Sequence, residues 1–182
     1  MSDDESCSAK ARPKRRRARL PLPPISIREM KIEDVHEVFE LGQKLFTAEK
    51  LPTLYRSWDD HELAQLFSSE AENCLVAECG DRIIGFALGR VMEKPHSAWK
   101  YGWLLWLGVD TAHKRRGVAR RLVNQLTERF LQKEARIMLV DTDEDNHEAL
   151  AFFRRCGFGQ EIKHVYLSRN LDDYPKKNGA DH

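Results

Sequence analysis

Long hydrophobic runs are missing from this chain of 182 residues. No apolar stretch approaches the ~18–20 residues a membrane span needs. The sequence begins with Ser2, Asp3, Asp4 and Glu5 after its methionine, not with the basic and then apolar pattern of a secretory signal. Cysteine is scarce and unpatterned. Cys7, Cys74, Cys79 and Cys156 include no C-x-x-C pair and have no histidine at zinc spacing, so they read as free thiols. His36, His61, His113, His147 and His164 show no metal spacing either, and no metal site is expected. Internal repeats are lacking, and the net charge is only +1. These absences point to a cytoplasmic protein without a membrane partner, one domain long enough to bury a core, plus tails.

The small net charge hides an asymmetry. Residues 1–24 hold seven basic side chains, Lys10, Arg12, Lys14, Arg15, Arg16, Arg17 and Arg19, against three acids; that net +4 leaves −3 for residues 25–182. With Pro13, Pro21, Pro23 and Pro24 and almost nothing apolar before Leu20, this segment is expected to be a disordered basic tail. Such an arm either contacts nucleic acid, the ribosome or an acidic partner, or merely solubilises the chain. A flexible tail is also expected at residues 172–182, leaving 25–171 as the domain.

From Ile25 the pattern alternates strands and helices. A strand runs from Ile25 to Met30, and Asp34 caps a helix with Val35, Val38, Phe39, Leu45 and Phe46 on its apolar face. Leu51 to Tyr55 breaks it. A second helix near Asp59 to Ser68 presents Leu63, Leu66 and Phe67, and Asn73 to Cys79 with Arg82 to Val91 form a hairpin about Gly80-Asp81. A polar loop, Glu93 to Lys100, leads to an apolar strand, a helix, a strand from Arg136 to Asp141, a helix opened by Asn146, and a last strand around His164 to Ser168. The order gives an α/β (α+β) fold with mixed strand directions and a ligand loop at the strand ends.

The segment from Tyr101 to Leu126 carries most of the chemistry. Trp103, Leu105 and Leu107 alternate with Leu104, Trp106 and Gly108, apolar on both sides, as a buried inner strand requires. Trp99, Tyr101, Trp103 and Trp106 form an aromatic stripe that reads as core or as a substrate cage. Lys114, Arg115 and Arg116 then precede Gly117, after which Val118, Leu122, Leu126 and Phe130 recur at helical spacing. The glycine therefore sits at a helix start, where unpaired N–H groups and the helix dipole attract an anion. Cations there oppose the dipole at ~0.3–1 kcal/mol each, so their clustering points to a bound phosphate. Gly117 and Ala119 lack the bulk to hold it off.

Lys114-Arg115-Arg116-Gly117-Val118-Ala119 resembles the signature of the GNAT N-acetyltransferase superfamily: Arg or Gln, two residues, Gly, one residue, then Gly or Ala. A second motif of that family is matched by Asn146 opening a helix, Phe153 seven residues on, and Gly157-Phe158. The resemblance covers Ile25 to Leu171 and is similar to the enzymes that acetylate protein N-termini, including ribosomal-protein alanine. It implies a mostly antiparallel central sheet flanked by helices, with a splayed strand pair that binds acetyl-CoA. Backbone of Leu107, Gly108 and Val109 would pair with the pantetheine, with the Val109 N–H on the acetyl oxygen. Lys114, Arg115, Arg116, Gly117, Val118, Ala119 and Arg120 would hold the pyrophosphate. Asn146 would bond the pantetheine arm, cap its helix, or both.

Two departures from the family bear on catalysis. Phe153 stands where many relatives have a tyrosine that protonates the leaving thiolate; Tyr166 is the nearest substitute, or a core aromatic. No glutamate occupies Trp103 to Leu107, where many relatives have a general base. Asp141 and Asp143 would project from one face if the preceding strand stays extended, and could hold or deprotonate an amine; alternatively Asp143, Glu144 and Asp145 favour the next helix start. The reading is transfer of acetyl from acetyl-CoA to a primary amine, of a protein or peptide before a small molecule. An acyl-CoA-binding regulatory module with little or no catalysis is the alternative. A nucleic-acid-binding helix at Lys114 to Arg121 fits less well with a net negative domain.

Overall fold

A computed structural model describes residues 23–47, 57–93, 95, 96, 99–165, 167 and 169. The break expected at Leu51 to Tyr55 lies outside them, as does nearly all of the basic tail. Two compact units divide the chain after Asp141.

The first unit is built on five strands in the order of the sequence: β1 (Ile25–Glu29), β2 (Cys74–Cys79), β3 (Arg82–Glu93), β4 (Lys100–Val109) and β5 (Ala135–Val140). Three neighbouring pairs are antiparallel, whereas β4 and β5 are parallel. Parallel neighbours need a crossover, here the helix α3 (Val118–Gln132). Two further helices, α1 (Val35–Leu45) and α2 (Asp60–Glu70), join β1 to β2.

Glycines show how closely α3 lies on the sheet. A Cβ on Gly102 would stand 2.2 Å from the Phe130 ring, and one on Gly89 2.6 Å from it. The opposite face carries the larger core, where Val38, Leu63, Leu66, Val76, Phe86, Leu88 and Trp106 are buried together. Phe46, Trp58, Phe86 and Trp106 interlock there, with centroids 4.9–5.3 Å apart in four of the ring pairs. Gly42 permits this: Trp58 presses so close to α1 that a Cβ would meet its ring at 2.1 Å, while its indole N–H donates to the Phe39 carbonyl at 3.0 Å.

Local chemistry sets the ends. Asp59 caps α2, its carboxylate accepting from the Glu62 N–H at 2.7 Å. Asp34 occupies the N-cap of α1 but does not cap it. Its carboxylate turns back to the Lys31 N–H at 2.7 Å and to the Arg28 guanidinium, because a two-point ion pair with arginine outweighs one more backbone N–H.

Among the described residues the second unit holds one helix, α4 (His147–Arg155). Asn146 caps it, its side-chain oxygen accepting from the Ala149 N–H at 3.1 Å. Gly157, at φ 97°, ends it: Gly157 N–H donates to Arg154 and Phe158 N–H to Phe153, each at 3.1 Å. This paired closure needs a left-handed residue, which explains the Gly-Phe of the second motif. The strand expected around His164 to Ser168 is not found: His164, Val165 and Leu167 carry no strand pairing. Val165 and Leu167 are 82% and 93% exposed, so no buried face drives pairing there. Tyr166 and Ser168 lie outside the described residues. Among the described residues no helix is long and apolar enough to cross a membrane.

Candidate active site

One extra residue in β4 shapes the site. Leu88 faces Trp106 while the next residue of β3, Gly89, faces Leu104, so Leu105 is inserted as a bulge. Side-chain parity flips across it. Leu104 and Gly102 face α3, whereas Trp106 and Gly108 turn to the α1 side, where a Cβ on Gly108 would touch Leu45 and Phe86 at 2.8 Å.

At the same place β4 parts from β5. Their pairing runs from Lys100 with Ala135 to Leu104 with Val140 and stops, while β4 continues to Val109. Just beyond the strand the Asp110 N–H still donates to the Ile84 carbonyl at 2.9 Å. In an antiparallel pair the bonded positions alternate, so Gly108 also bonds across to β3, and Leu107 and Val109 aim their backbone groups at the side β5 has left. Leu107 and Val109 therefore leave backbone groups open on this edge, whereas those of Gly108, expected to share it, are spent on β3.

The chain then reverses through Thr111–His113, held by the Asp110 carboxylate on the Ala112 N–H at 3.0 Å. Arg115 has φ 61° and Gly117 φ 77°, with Arg116 between them at negative φ. Alternation of this kind turns successive N–H groups to one side, a nest for an anion. For Arg115 the left-handed conformation costs roughly 1–2 kcal/mol. Gly117 is the N-cap of α3 and has no side chain to cap with; the first helical bond is Arg121 N–H to its carbonyl at 3.0 Å. The N–H groups of Val118, Ala119 and Arg120 are thus left to solvent or ligand. A Cβ on Gly117 would meet no protein atom within 4 Å, so the space beside it is open. Lys114, Arg115 and Arg120 are exposed and Arg116 half-buried. Arg121, by contrast, serves the fold, donating to the Ile25 carbonyl at 2.9 Å.

On the face turned from α3, two tryptophans hold two carboxylates. Trp103 Nε1 donates to Asp141 Oδ1 at 2.8 Å, and Trp106 Nε1 to Glu62 Oε1 at 3.2 Å. The aromatic stripe thus divides: Trp106 is core, 6% exposed, while Trp99 is 51% exposed. Glu62 was not signalled by any motif; the clue was that a tryptophan in an apolar strand must find an acceptor for its indole N–H. β5 ends at Val140, so Asp141 and Asp143 do not share the face of an extended strand. In the second unit Asp143 forms a turn, its carbonyl accepting from the Asn146 N–H at 3.0 Å. Phe153 is 9% exposed, edge-on to Phe152 and Phe158 at 5.1 and 5.4 Å. Its ring is a packing element and carries no proton to give.

Known structures share this architecture. An aminoglycoside acetyltransferase from an uncultured soil metagenomic sample is 20% identical, over 80% of this chain and 97% of that one, with a TM-score of 0.63. Ard1 from Thermoplasma volcanium is also 20% identical, over 76% and 84%, at 0.61. An aminoglycoside 6'-N-acetyltransferase from Acinetobacter haemolyticus reaches 25% identity over 81% and 99%, at 0.62. Sequence gives the sharper result, because the model of the acetyltransferase (GNAT) family matches residues 35–158, from the start of α1 to the phenylalanine that closes α4. The chain belongs to the acetyltransferase (GNAT) family.

Proposed function

We propose that the protein transfers the acetyl group of acetyl-CoA to the primary amine of a protein or peptide inside the cell. The observation that carries this is the open edge of β4 at Leu107 and Val109, followed directly by the nest and the uncapped start of α3. Acetyl-CoA supplies a thioester-activated acetyl group. The backbone N–H groups from Arg116 to Arg120 suit its pyrophosphate, and related proteins have been crystallised with CoA or with a CoA-linked bisubstrate analogue. Lys114 stands where the family has Arg or Gln; it keeps the charge and loses the planar fork, which weakens its share of the grip.

The amine nitrogen attacks the thioester carbonyl, the carbon–sulfur bond breaks, and the amine's proton must leave while the thiolate gains one. The Val109 N–H polarises the acetyl oxygen. Asp141, steadied by the Trp103 indole, takes up the amine's proton through bridging water. A thiol of pKa ~8.5 leaves tolerably near neutral pH, so Phe153 does not forbid turnover. Tyr166 is the proposed donor within the chain, with water as the other source.

A second acceptor class, polycationic small amines, is favoured by the carboxylates of Asp141 and Glu62 on one face; one similar acetyltransferase was crystallised with sisomicin. Free-thiol release with peptides, polyamines and aminoglycosides, together with CoA calorimetry, tests the proposal. Peptides should give the highest kcat/KM, and Gly117→Val should lower CoA affinity at least tenfold by blocking the approach to the α3 start. Equal affinity of variant and wild type would place the pyrophosphate elsewhere. Binding without thiol release for any amine would make the protein an acyl-CoA-binding module.

A further inference from the structure

We propose that Arg90 binds a carboxylate of the acceptor, so that the preferred substrate is a peptide with an acidic side chain close behind the amine that is acetylated. The inference rests on the acetyltransferase reading above and names its acceptor more closely.

Arg90 lies on β3 directly opposite Trp103 of β4. Paired residues of an antiparallel ladder share a face. The adjacent pair, Gly89 with Leu104, looks at α3, since a Cβ on Gly89 would meet Phe130 at 2.6 Å and Leu126 at 3.1 Å. Arg90 and Trp103 are therefore turned to the other face, where the Trp103 indole holds Asp141.

The guanidinium is half-buried, and its Nε is sealed from solvent with no hydrogen-bond partner. Described ion pairs engage other cations, such as Arg28, Lys100, Arg129 and Lys133. A partly desolvated charge with an unmet donor is costly by itself, and a carboxylate, which accepts two parallel N–H bonds from arginine, meets that need. The pyrophosphate is too distant to do so: Trp103 precedes Val109 by six residues, about 20 Å along an extended strand, and the nest lies beyond Val109.

The spacing fixes the kind of acceptor. From Trp103 to the reacting edge at Leu107 is about 13 Å, which three or four extended residues span. A peptide whose amine reaches Leu107 and Val109 would thus bring a side chain of its second to fourth residue to Arg90. Polycationic small amines offer no anion there and meet a like charge.

The test compares peptides that differ only in Glu, Gln or Lys at the third position, with thiol release as the readout. Wild type should favour Glu over Gln by about tenfold in kcat/KM, as one charge-assisted bond provides. Arg90→Gln should erase that preference by lowering kcat/KM for the Glu peptide about tenfold, and Arg90→Glu should shift preference to the Lys peptide. Indifference of wild type to the third residue, or an equal loss on all three peptides in Arg90→Gln, overturns the role of Arg90 while peptide acetylation stands. Turnover of polyamines or aminoglycosides with none of any peptide overturns the acceptor reading itself, and this inference with it.

Discussion

Arg28 binds two carboxylates at once: its guanidinium donates to Asp34 at 2.5 and 3.0 Å and to Glu78 at 3.3 and 3.1 Å. These hydrogen bonds raise the pKa of Arg28 and hold Asp34 and Glu78 below their ordinary values. A carboxyl depressed only in the folded state adds stability above its unfolded pKa and loses it as pH falls through the folded value. Urea midpoints should therefore drop as pH falls below the ordinary Asp and Glu values of 3.8 and 4.5. Asp34→Asn should lower the midpoint at neutral pH and flatten that fall; parallel curves for variant and wild type would show the fork contributes nothing. At this scale the sequence was partly legible. Gly117 announced itself through its place before a helical period, and its positive φ and open flank agree with that reading. The left-handed Arg115 gave no warning, since arginine pays for that conformation and only its neighbours reveal why. Asp34 was legible as a polar residue at a helix start, but its true partners are Arg28 and Lys31, which no local pattern names.

Helix α4 is closed by geometry that the family motif records in two letters. Gly157 takes the left-handed position and Phe158 folds back on Phe153, rings 5.4 Å apart. Gly157→Ala should cost about 1 kcal/mol, enough to raise amide exchange throughout the last turn of α4. Phe158→Ala should do the same by removing the ring contact. If exchange at Phe153 to Cys156 is unchanged in both, the closure is not what holds the helix end. The elements themselves were legible because their periods were clear: the β2–β3 hairpin, α2 and α3 fall within a few residues of the expected limits. The bulge in β4 was not. Trp103 through Leu107 are apolar without interruption, and a strand buried on both faces shows no alternation whose failure could be noticed. The missing last strand was a different error, for alternation near His164 exists without a buried face to use it.

The basic arm belongs to the whole molecule. Residues 1–22 lie outside the described residues, and their charge opposes that of the remainder. We propose that the arm recruits nucleic acid, the ribosome or another acidic partner rather than serving catalysis. Deleting residues 1–22 should leave acetylation of a short peptide intact, and should weaken RNA or ribosome binding and flatten its salt dependence, because fewer counterions are released. Identical salt slopes would reduce the arm to a solubilising extension, and loss of peptide turnover would give it a place at the active site. Chains only 20–25% identical to this one keep its architecture over about four-fifths of its length. The extra residue at Leu105 shows how so much spelling can change without loss. What the open edge of β4 needs from that position is a place in the count, not a side chain. Drift in letters leaves the edge where it is, whereas losing a single codon would restore regular pleating and erase the bulge at which β4 parts from β5. The open edge of β4 is thus inherited as arithmetic.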